Sequence, residues 1–234
     1  MLVGLRREAQ EAGQTAVVSG CVGPRGDGYD GSALMTAAQA RDYHTAQVAT
    51  FAETDADMAN AMTITYPAEA VGIVQAATDV AIPVAISFTV ETDGVLPDGT
   101  PLAVAVEHVE EATEGAPAYY AINCAHPTHF EQVLDPSDQW VGRLRGIRAN
   151  ASARSHAELD QADQLDSREP GRAGRGLPQL RMRLANLTVL GGCCGTDLRR
   201  HPAPRVHREG LEPKTAAAPS ALPSVSVQSR IVMV

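Results

Sequence analysis

Short runs of β-branched and other apolar residues alternate along the chain with stretches that carry a helical period. The helical stretches place apolar residues three and four positions apart, whereas the strand runs are apolar throughout or alternate with polar residues. The predicted strands are residues 15–21, 57–66, 82–90, 118–124, 145–150 and 186–193. The predicted helices are residues 2–12, 37–54, 67–78 and 101–113. This alternation predicts an α/β protein with a parallel sheet and right-handed crossovers.

Six strands in series fit two architectures, an open doubly wound sheet and a (β/α)8 barrel, and they fall short of the eight strands of a closed barrel. We assign residues 1–200 to one domain. Within it, residues 161–176 are charged and contain Gly and Pro, which predicts an exposed connection. Residues 201–234 contain five prolines and no helical or strand period, which predicts a disordered tail.

Composition narrows the class of protein. The 234 residues are 44% hydrophobic, enough to bury a core, and 28 acidic against 19 basic residues give a net charge of −9. The acidic balance argues against nucleic acid as a partner. Neither a membrane span of about 18 apolar residues nor a signal peptide is evident, so we expect a cytoplasmic protein without a membrane partner. Lys214 is the only lysine, which excludes a Schiff-base or P-loop lysine in the body of the chain.

Three of the four cysteines follow predicted strands. Cys124 ends one strand, and Cys193 and Cys194 end another. The carboxyl ends of parallel strands share one edge of the sheet, and Gly192 and Gly195 give the backbone freedom to turn both adjacent thiols toward one centre. Three sulfur ligands with an open position are typical of catalytic zinc. Buried packing thiols are an equal alternative at this point; a strained vicinal disulfide and a thiol redox centre, which lacks the C-x-x-C spacing, are weaker ones.

Two motifs add a family resemblance. The segments Ile122-Asn123-Cys124-Ala125-His126-Pro127 and Gly191-Gly192-Cys193-Cys194-Gly195-Thr196 resemble the two zinc-thiolate motifs of the homocysteine S-methyltransferases. Residues 20–27 and 88–102 are similar to further segments of that family. The resemblance covers about residues 4–197 and includes both cysteine motifs.

The resemblance implies an incomplete (β/α)8 barrel of about six βα units, with the first two units absent. It implies Zn²⁺ bound by Cys124, Cys193 and Cys194, with the fourth position taken by the thiol of homocysteine. Coordination deprotonates that thiol. The thiolate attacks a methyl group on a small cationic donor, which is S-methylmethionine, S-adenosylmethionine or betaine, and methionine is formed. No catalytic residue beyond the metal ligands is required.

Other residues near the motifs are candidates for binding. Asn123 and Gly23 are predicted to contact the substrate. His126 and His129 either line the mouth of the site or lie on the surface as ordinary loop histidines. One of three arginines, at positions 143, 145 and 148, is a candidate for binding a carboxylate, although a solvated or ion-paired arginine is the commoner role. We interpret Cys21 as a small packing residue.

The sequence also departs from the family. It has no counterpart of the family's acidic Asp-Gly-Gly segment, and Met62 stands where the family commonly has a Glu that holds the substrate amine. The residues after Asp197 do not resemble the family's final helix. These departures support a second hypothesis, an inactive truncated homologue that retains zinc and homocysteine binding at most. A barrel with open edge strands is also expected to self-associate.

Overall fold

Seven parallel strands form one sheet, and helices follow most of them. The computed structural model describes residues 2–27, 34–163, 170–196 and 230–233, with residues 2, 170–176 and 230–233 as backbone. The strands are β1 (Ala16–Val22), β2 (Met58–Ile64), β3 (Val84–Phe88), β4 (Tyr119–Asn123), β5 (Leu144–Ala149), β6 (Val189–Gly192) and β7 (Arg230–Met233). The helices are α1 (Leu2–Glu11), α2 (Ala37–Ala52), α3 (Pro67–Asp79), α4 (Leu102–Ala112), α5 (Pro127–Phe130), α6 (His156–Asp160) and α7 (Pro170–Arg183).

The strand order is that of an incomplete barrel. It runs β6-β5-β4-β3-β2-β1-β7, so the first six strands lie side by side in chain order. Every pair is parallel. The six predicted strands and the incomplete (β/α)8 architecture are therefore confirmed. β7 pairs with the free edge of β1 and comes from the predicted tail; residues 197–229 lie outside the described part of the chain, where the prediction of disorder stays a prediction.

The two faces of the sheet differ in what covers them. On the outer face, strand residues such as Ile86, Phe88 and Ile147 pack with helix residues such as Val106 into the main core. The inner face carries a smaller cluster, and none of its described members belongs to a helix. Its buried members are Met58, Ala85, Tyr119, Ala121 and Val189, with Val17 and Ala118 packed against them. A doubly wound sheet would have helices on both faces, so this separation favours the barrel type.

Local sequence explains where the main helices begin. Thr36 caps α2 in a capping box with Gln39, whose side chain accepts from the Thr36 backbone N–H. Pro67 occupies the first turn of α3, where a missing N–H is tolerated. Among the described residues, no helix combines the length and apolar character needed to cross a membrane.

Helix α7 differs from the prediction. We expected an exposed connection over residues 161–176, but the helix begins at Pro170, inside that segment. The glycines and the internal Pro178 weaken the helical signal in the sequence. Leu177 and Leu180, three residues apart, are buried in the main core. Tertiary packing of this apolar stripe stabilises a helix that propensity alone does not predict.

Candidate metal centre

The three cysteines of the two motifs meet at the carboxyl edge of the sheet. Cys124 follows β4, and Cys193 and Cys194 follow β6. Their Sγ atoms all lie within 4.8 Å of one another, and the Sγ atoms of Cys124 and Cys193 are 2.8 Å apart. All are free thiols, with Cys124 and Cys193 half-buried and Cys194 exposed. Over the described residues, they form the one group of three or more side chains placed to hold a metal ion.

Strand β5 lies between the two cysteine segments and determines their separation. The Cys124 N–H donates to the carbonyl of Arg148 at 3.2 Å, and the Cys193 N–H donates to the carbonyl of Ala149 at 2.9 Å. One residue beyond Asn150, the Ala151 N–H donates to the carbonyl of Cys194 at 3.0 Å. The end of one strand therefore holds both motifs by backbone hydrogen bonds, and this brings thiols 69 residues apart into one group.

The backbone at Cys124 is strained. Its φ angle is +54°, in the left-handed region, and that of Thr63 at the end of β2 is +61°. For a residue with a side chain, this conformation costs roughly 1–2 kcal/mol. Gly195 also lies in this region, with φ +74°, as the motif predicts. The sequence interpretation assigned the unusual backbone to the glycines, whereas the structure places part of it on Cys124 itself.

Asn123 lies buried directly before Cys124 and connects three strands. Its side chain is 1% exposed. Its Oδ1 accepts from the Thr63 N–H at 2.9 Å and from the Ser87 hydroxyl at 2.7 Å. Its Nδ2 donates to the Thr63 hydroxyl at 2.8 Å, and that hydroxyl in turn points at the Cys124 Sγ, 3.9 Å away. The network fixes the strand ends beneath the thiols; contact of Asn123 with a substrate stays a prediction.

The carbonyl of Cys124 accepts two side-chain hydrogen bonds that sequence reasoning missed. Asn150 Nδ2 donates to it at 2.9 Å, and His156 Nε2 donates at 2.8 Å. The other nitrogen of His156 lies 3.1 Å from Oε1 of Glu91. A partial signal exists in the sequence, because Asn150 ends a predicted strand. The proximity of His156 and Glu91 depends on how three loops meet, which no local pattern reports.

The thiols of this group share hydrogen bonds and negative charge. The pKa of Cys124 is raised well above the usual value, chiefly because its thiol is hydrogen-bonded to Cys193 and Cys194 and also because it is buried. The pKa of Cys194 is lowered, chiefly because its sulfur accepts hydrogen bonds from Cys124 and Cys193, and His156 acts in the same direction. One thiolate supported by two thiols is a soft, anionic donor set, which suits a metal such as zinc.

Comparison with known proteins identifies the family. The sequence profile described as Homocysteine S-methyltransferase matches residues 2–200. The chain belongs to the homocysteine S-methyltransferase family. A search of the curated proteins gave no match.

Solved structures of homocysteine methyltransferases show the same fold. The apo form of the homocysteine methyltransferase MmuM from Escherichia coli is 20% identical, with a TM-score of 0.59 over 85% of this chain and 68% of that chain. Its metallated form is 21% identical, with a TM-score of 0.60 over 85% of this chain and 66% of that chain. This chain therefore spans about two thirds of the length of these relatives.

In this member of the family, the candidate residues His126, His129 and Cys21 lie outside the three-cysteine group. His126 caps α5 and accepts from the Thr128 N–H. His129 is buried, and its Nε2 donates to the carbonyl of Ala153 at 3.0 Å. Cys21 lies at the end of β1, outside the three-cysteine group. It is exposed, so our interpretation of Cys21 as a packing residue is wrong.

The three candidate arginines have different surroundings. Arg143 donates to the Glu110 carboxylate at 3.0 Å and to the carbonyl of Pro117 at 2.6 Å, which is a structural role. Arg145 is exposed. Arg148 pairs in register with Asn123 on one side and Gly191 on the other, so it lies on the inner face. Its side chain makes no hydrogen bond or ion pair with any other part of the described chain.

Two residues singled out by the resemblance lie near the carboxyl ends of the neighbouring strands β1 and β2, and contact of Gly23 with a substrate stays a prediction. Gly23 directly follows β1, and a Cβ added there would meet no atom within 4 Å. Met62 is half-buried in β2, beside Thr63. Glu69, the next acidic residue along the chain, is fully buried, with Oε1 accepting from the Arg25 N–H at 2.8 Å and facing His44 Nε2 at 3.0 Å. These contacts give Glu69 a structural role.

Proposed function

We propose that this chain binds Zn²⁺ through Cys124, Cys193 and Cys194 and transfers a methyl group to the thiol of homocysteine, which gives methionine. The observation that carries the proposal is the convergence of three free thiols within 4.8 Å in a member of this family. A metallated form of the Escherichia coli relative exists, which supports metal binding by a chain of this fold. Bound zinc would supply a Lewis acid that favours the thiolate form of the substrate at neutral pH.

The chain's own residues prepare the site for a small amino acid. Cys194 is exposed, so the sulfur group is open to solvent and to substrate. The Thr63 hydroxyl faces the Cys124 sulfur and helps hold it in place. Arg148 lies on the inner face without a described counter-ion, and an arginine binds a carboxylate with two parallel hydrogen bonds. We therefore assign the substrate carboxylate to Arg148 and retain Asn123 and Gly23 as further contacts.

The methyl donor is a small cation, S-methylmethionine, S-adenosylmethionine or betaine. Its positive charge agrees with the net charge of −9 on the chain. The four free cysteines agree with a reducing compartment, the cytoplasm.

Metal analysis and turnover test the proposal together. We expect about one zinc ion per chain for the wild type and loss of zinc in Cys193→Ser, because two thiol ligands hold zinc far less tightly than three. Cys21→Ser is the matched control, since Cys21 lies outside the group, and it should retain its zinc. Methionine formation is then measured from homocysteine with each of the three donors. Zinc content that is unchanged in Cys193→Ser would refute the metal site.

A second candidate function is binding without turnover. The half-buried Met62 favours it, because a thioether cannot accept from an ammonium group as a carboxylate does. In that case, the wild type would bind zinc and homocysteine and form no methionine with any donor. Isothermal titration with homocysteine, run beside the turnover assay, distinguishes the two functions.

A further inference from the structure

Two side chains from the segment after β5 contact the carbonyl oxygen of Cys124, and a third loop supports one of them. Asn150 and His156 both come from the segment after β5, 26 and 32 residues along the chain from Cys124. Glu91 comes from the loop after β3 and lies against the far side of the His156 ring. A carbonyl oxygen has two lone pairs, so two donors at 2.9 and 2.8 Å saturate it.

The orientation of His156 is determined by its neighbours. A carbonyl only accepts, so the hydrogen at this contact belongs to Nε2 of the ring. The opposite nitrogen, Nδ1, lies 3.1 Å from Oε1 of Glu91 and donates there when the ring carries both hydrogens, and this second hydrogen bond opposes rotation of the ring away from the carbonyl. His156 is also the first residue of α6, whose start is fixed by a capping box between Ser155 and Glu158. The imidazole is therefore held from two sides, by the Cys124 carbonyl and by Glu91.

The two hydrogen bonds to the Cys124 carbonyl matter because Cys124 has a left-handed backbone. Its φ of +54° directs the Cα–Cβ bond, and with it the thiol, toward Cys193. A relaxed, extended backbone at Cys124 would rotate its carbonyl away from Asn150 and His156, and both hydrogen bonds would be lost. The two donors thus favour the one backbone conformation in which the thiol joins the sulfur group.

We propose that His156 and Asn150 are positioning residues that hold the Cys124 carbonyl and thereby aim the Cys124 thiol into the metal site, with Glu91 orienting His156. This inference rests on the metal site of the proposed function and adds residues to it. Both side chains act through the Cys124 carbonyl, to which each donates a hydrogen bond. Groups that orient a metal ligand typically change metal affinity roughly 10- to 100-fold when removed.

The test compares variants that keep or remove the donor. His156→Gln places an amide N–H where Nε2 stood, whereas His156→Asn is too short to reach the carbonyl. Asn150→Leu removes the second donor at similar volume. His108→Phe on the exposed side of α4 is the control for loss of a histidine. Zinc affinity is measured by competition with a chromophoric chelator, and the thiolate-to-metal charge-transfer band of the cobalt(II)-loaded chain reports how many cysteines coordinate.

We expect His156→Asn and Asn150→Leu to bind zinc roughly 10- to 100-fold more weakly, with a smaller charge-transfer band, while His156→Gln and His108→Phe stay near the wild type. Urea unfolding of the metal-free variants is the control that checks whether each variant remains folded. Wild-type affinity and an unchanged cobalt spectrum in both His156→Asn and Asn150→Leu would overturn the proposal. None of these readouts uses turnover, so a wild type that binds zinc but transfers no methyl group contradicts the proposed function alone; a wild type that binds no zinc overturns both.

Discussion

Cys124, a ligand of the proposed metal site, carries backbone strain. Its left-handed φ suits glycine, yet the site requires a thiol there. Strain of this kind persists only where surrounding contacts hold it, and here the Asn123 network and the two donors on the carbonyl do so. The thiol is therefore kept at the expense of fold stability.

This strain predicts an unusual order of stabilities. Cys124→Gly should be more stable than Cys124→Ala by about 1 kcal/mol, because only glycine adopts a positive φ without a steric penalty. At an ordinary position the order would be reversed, since glycine loses more conformational entropy on folding. Urea unfolding of the two metal-free variants measures the difference. A Cys124→Ala variant as stable as Cys124→Gly would show that the backbone relaxes and that no strain is stored.

Arg148 allows a test of substrate recognition. Arg148→Gln should raise the KM for homocysteine roughly 10- to 100-fold, because a charge-assisted pair contributes about 1.5–3 kcal/mol. The KM for 3-aminopropane-1-thiol, which lacks the carboxylate, should not change. Arg145→Gln on the same strand is the control, since Arg145 is exposed. An equal rise in KM for homocysteine and for 3-aminopropane-1-thiol in Arg148→Gln would indicate that Arg148 stabilises the fold instead of binding the carboxylate.

Among single residues, the sequence predicts those whose role follows from residue type and position at a strand end. The three cysteines could be found because thiols at two strand ends form a recognisable motif. Asn150, His156 and Glu91 could not, because their role depends on loops that meet only in the folded chain. Arg148 was one of three arginines in the sequence. The structure separates it from Arg145 by strand register and from Arg143 by the hydrogen bonds that Arg143 makes to Glu110 and Pro117.

Helices α2 and α3 approach each other closely at Gly72. A Cβ on Gly72 would lie 2.5 Å from Ala40 Cβ and 2.6 Å from the Ala37 carbonyl oxygen. Backbone atoms cannot move aside as the end of a flexible side chain can, so the two helices would have to separate. Gly72 is therefore required by the packing of two elements.

Gly72→Ala should consequently destabilise the fold by roughly 1–3 kcal/mol through overpacking. Helix propensity alone predicts the opposite, a gain of about 1 kcal/mol. Gly4→Ala in α1 is the matched control, because a Cβ there meets nothing within 4 Å, and it should be neutral or stabilising. Unfolding midpoints in urea decide the question. Stabilisation by both substitutions would mean that α2 and α3 can separate freely.

The elements were predictable where their patterns were strong. The six predicted strands match β1 to β6 within a few residues, since runs such as that of β3 are almost wholly apolar, and β3 begins directly after Pro83. Helix α7 was missed because its glycines and Pro178 mask an apolar stripe that is stabilised by burial. β7 was missed because a four-residue strand after a proline-rich segment has no signal beyond its apolar residues.

For the whole molecule, the proposed metal site requires only part of the barrel. The three thiols lie on β4 and β6, and the groups that hold them come from β2 to β5 and the loops that follow. The proposed metal binding therefore depends on neighbouring strands in the described sheet. In the proposed function, a methyl donor would also contact loops around a larger part of the ring. Metal affinity and turnover can consequently respond differently to changes at the outer strands.

The pairing of β7 with β1 gives a prediction for the molecule as a whole. β7 covers an edge of β1 that would otherwise offer unpaired backbone groups to another chain, with Val17 opposite Ile231 and Val18 opposite Val232.

Successive N–H groups of a strand point to opposite edges, so only one of Ile231 and Val232 donates to β1. Proline removes that donor. One of Ile231→Pro and Val232→Pro should therefore lower the free energy of unfolding by about 1 kcal/mol or more and promote self-association, while the other, whose N–H faces away from β1, should have a smaller effect. Urea unfolding and light scattering after size exclusion measure both quantities. Equal behaviour of the two proline variants would contradict a paired β7 and would mean that the edge of β1 is protected in another way.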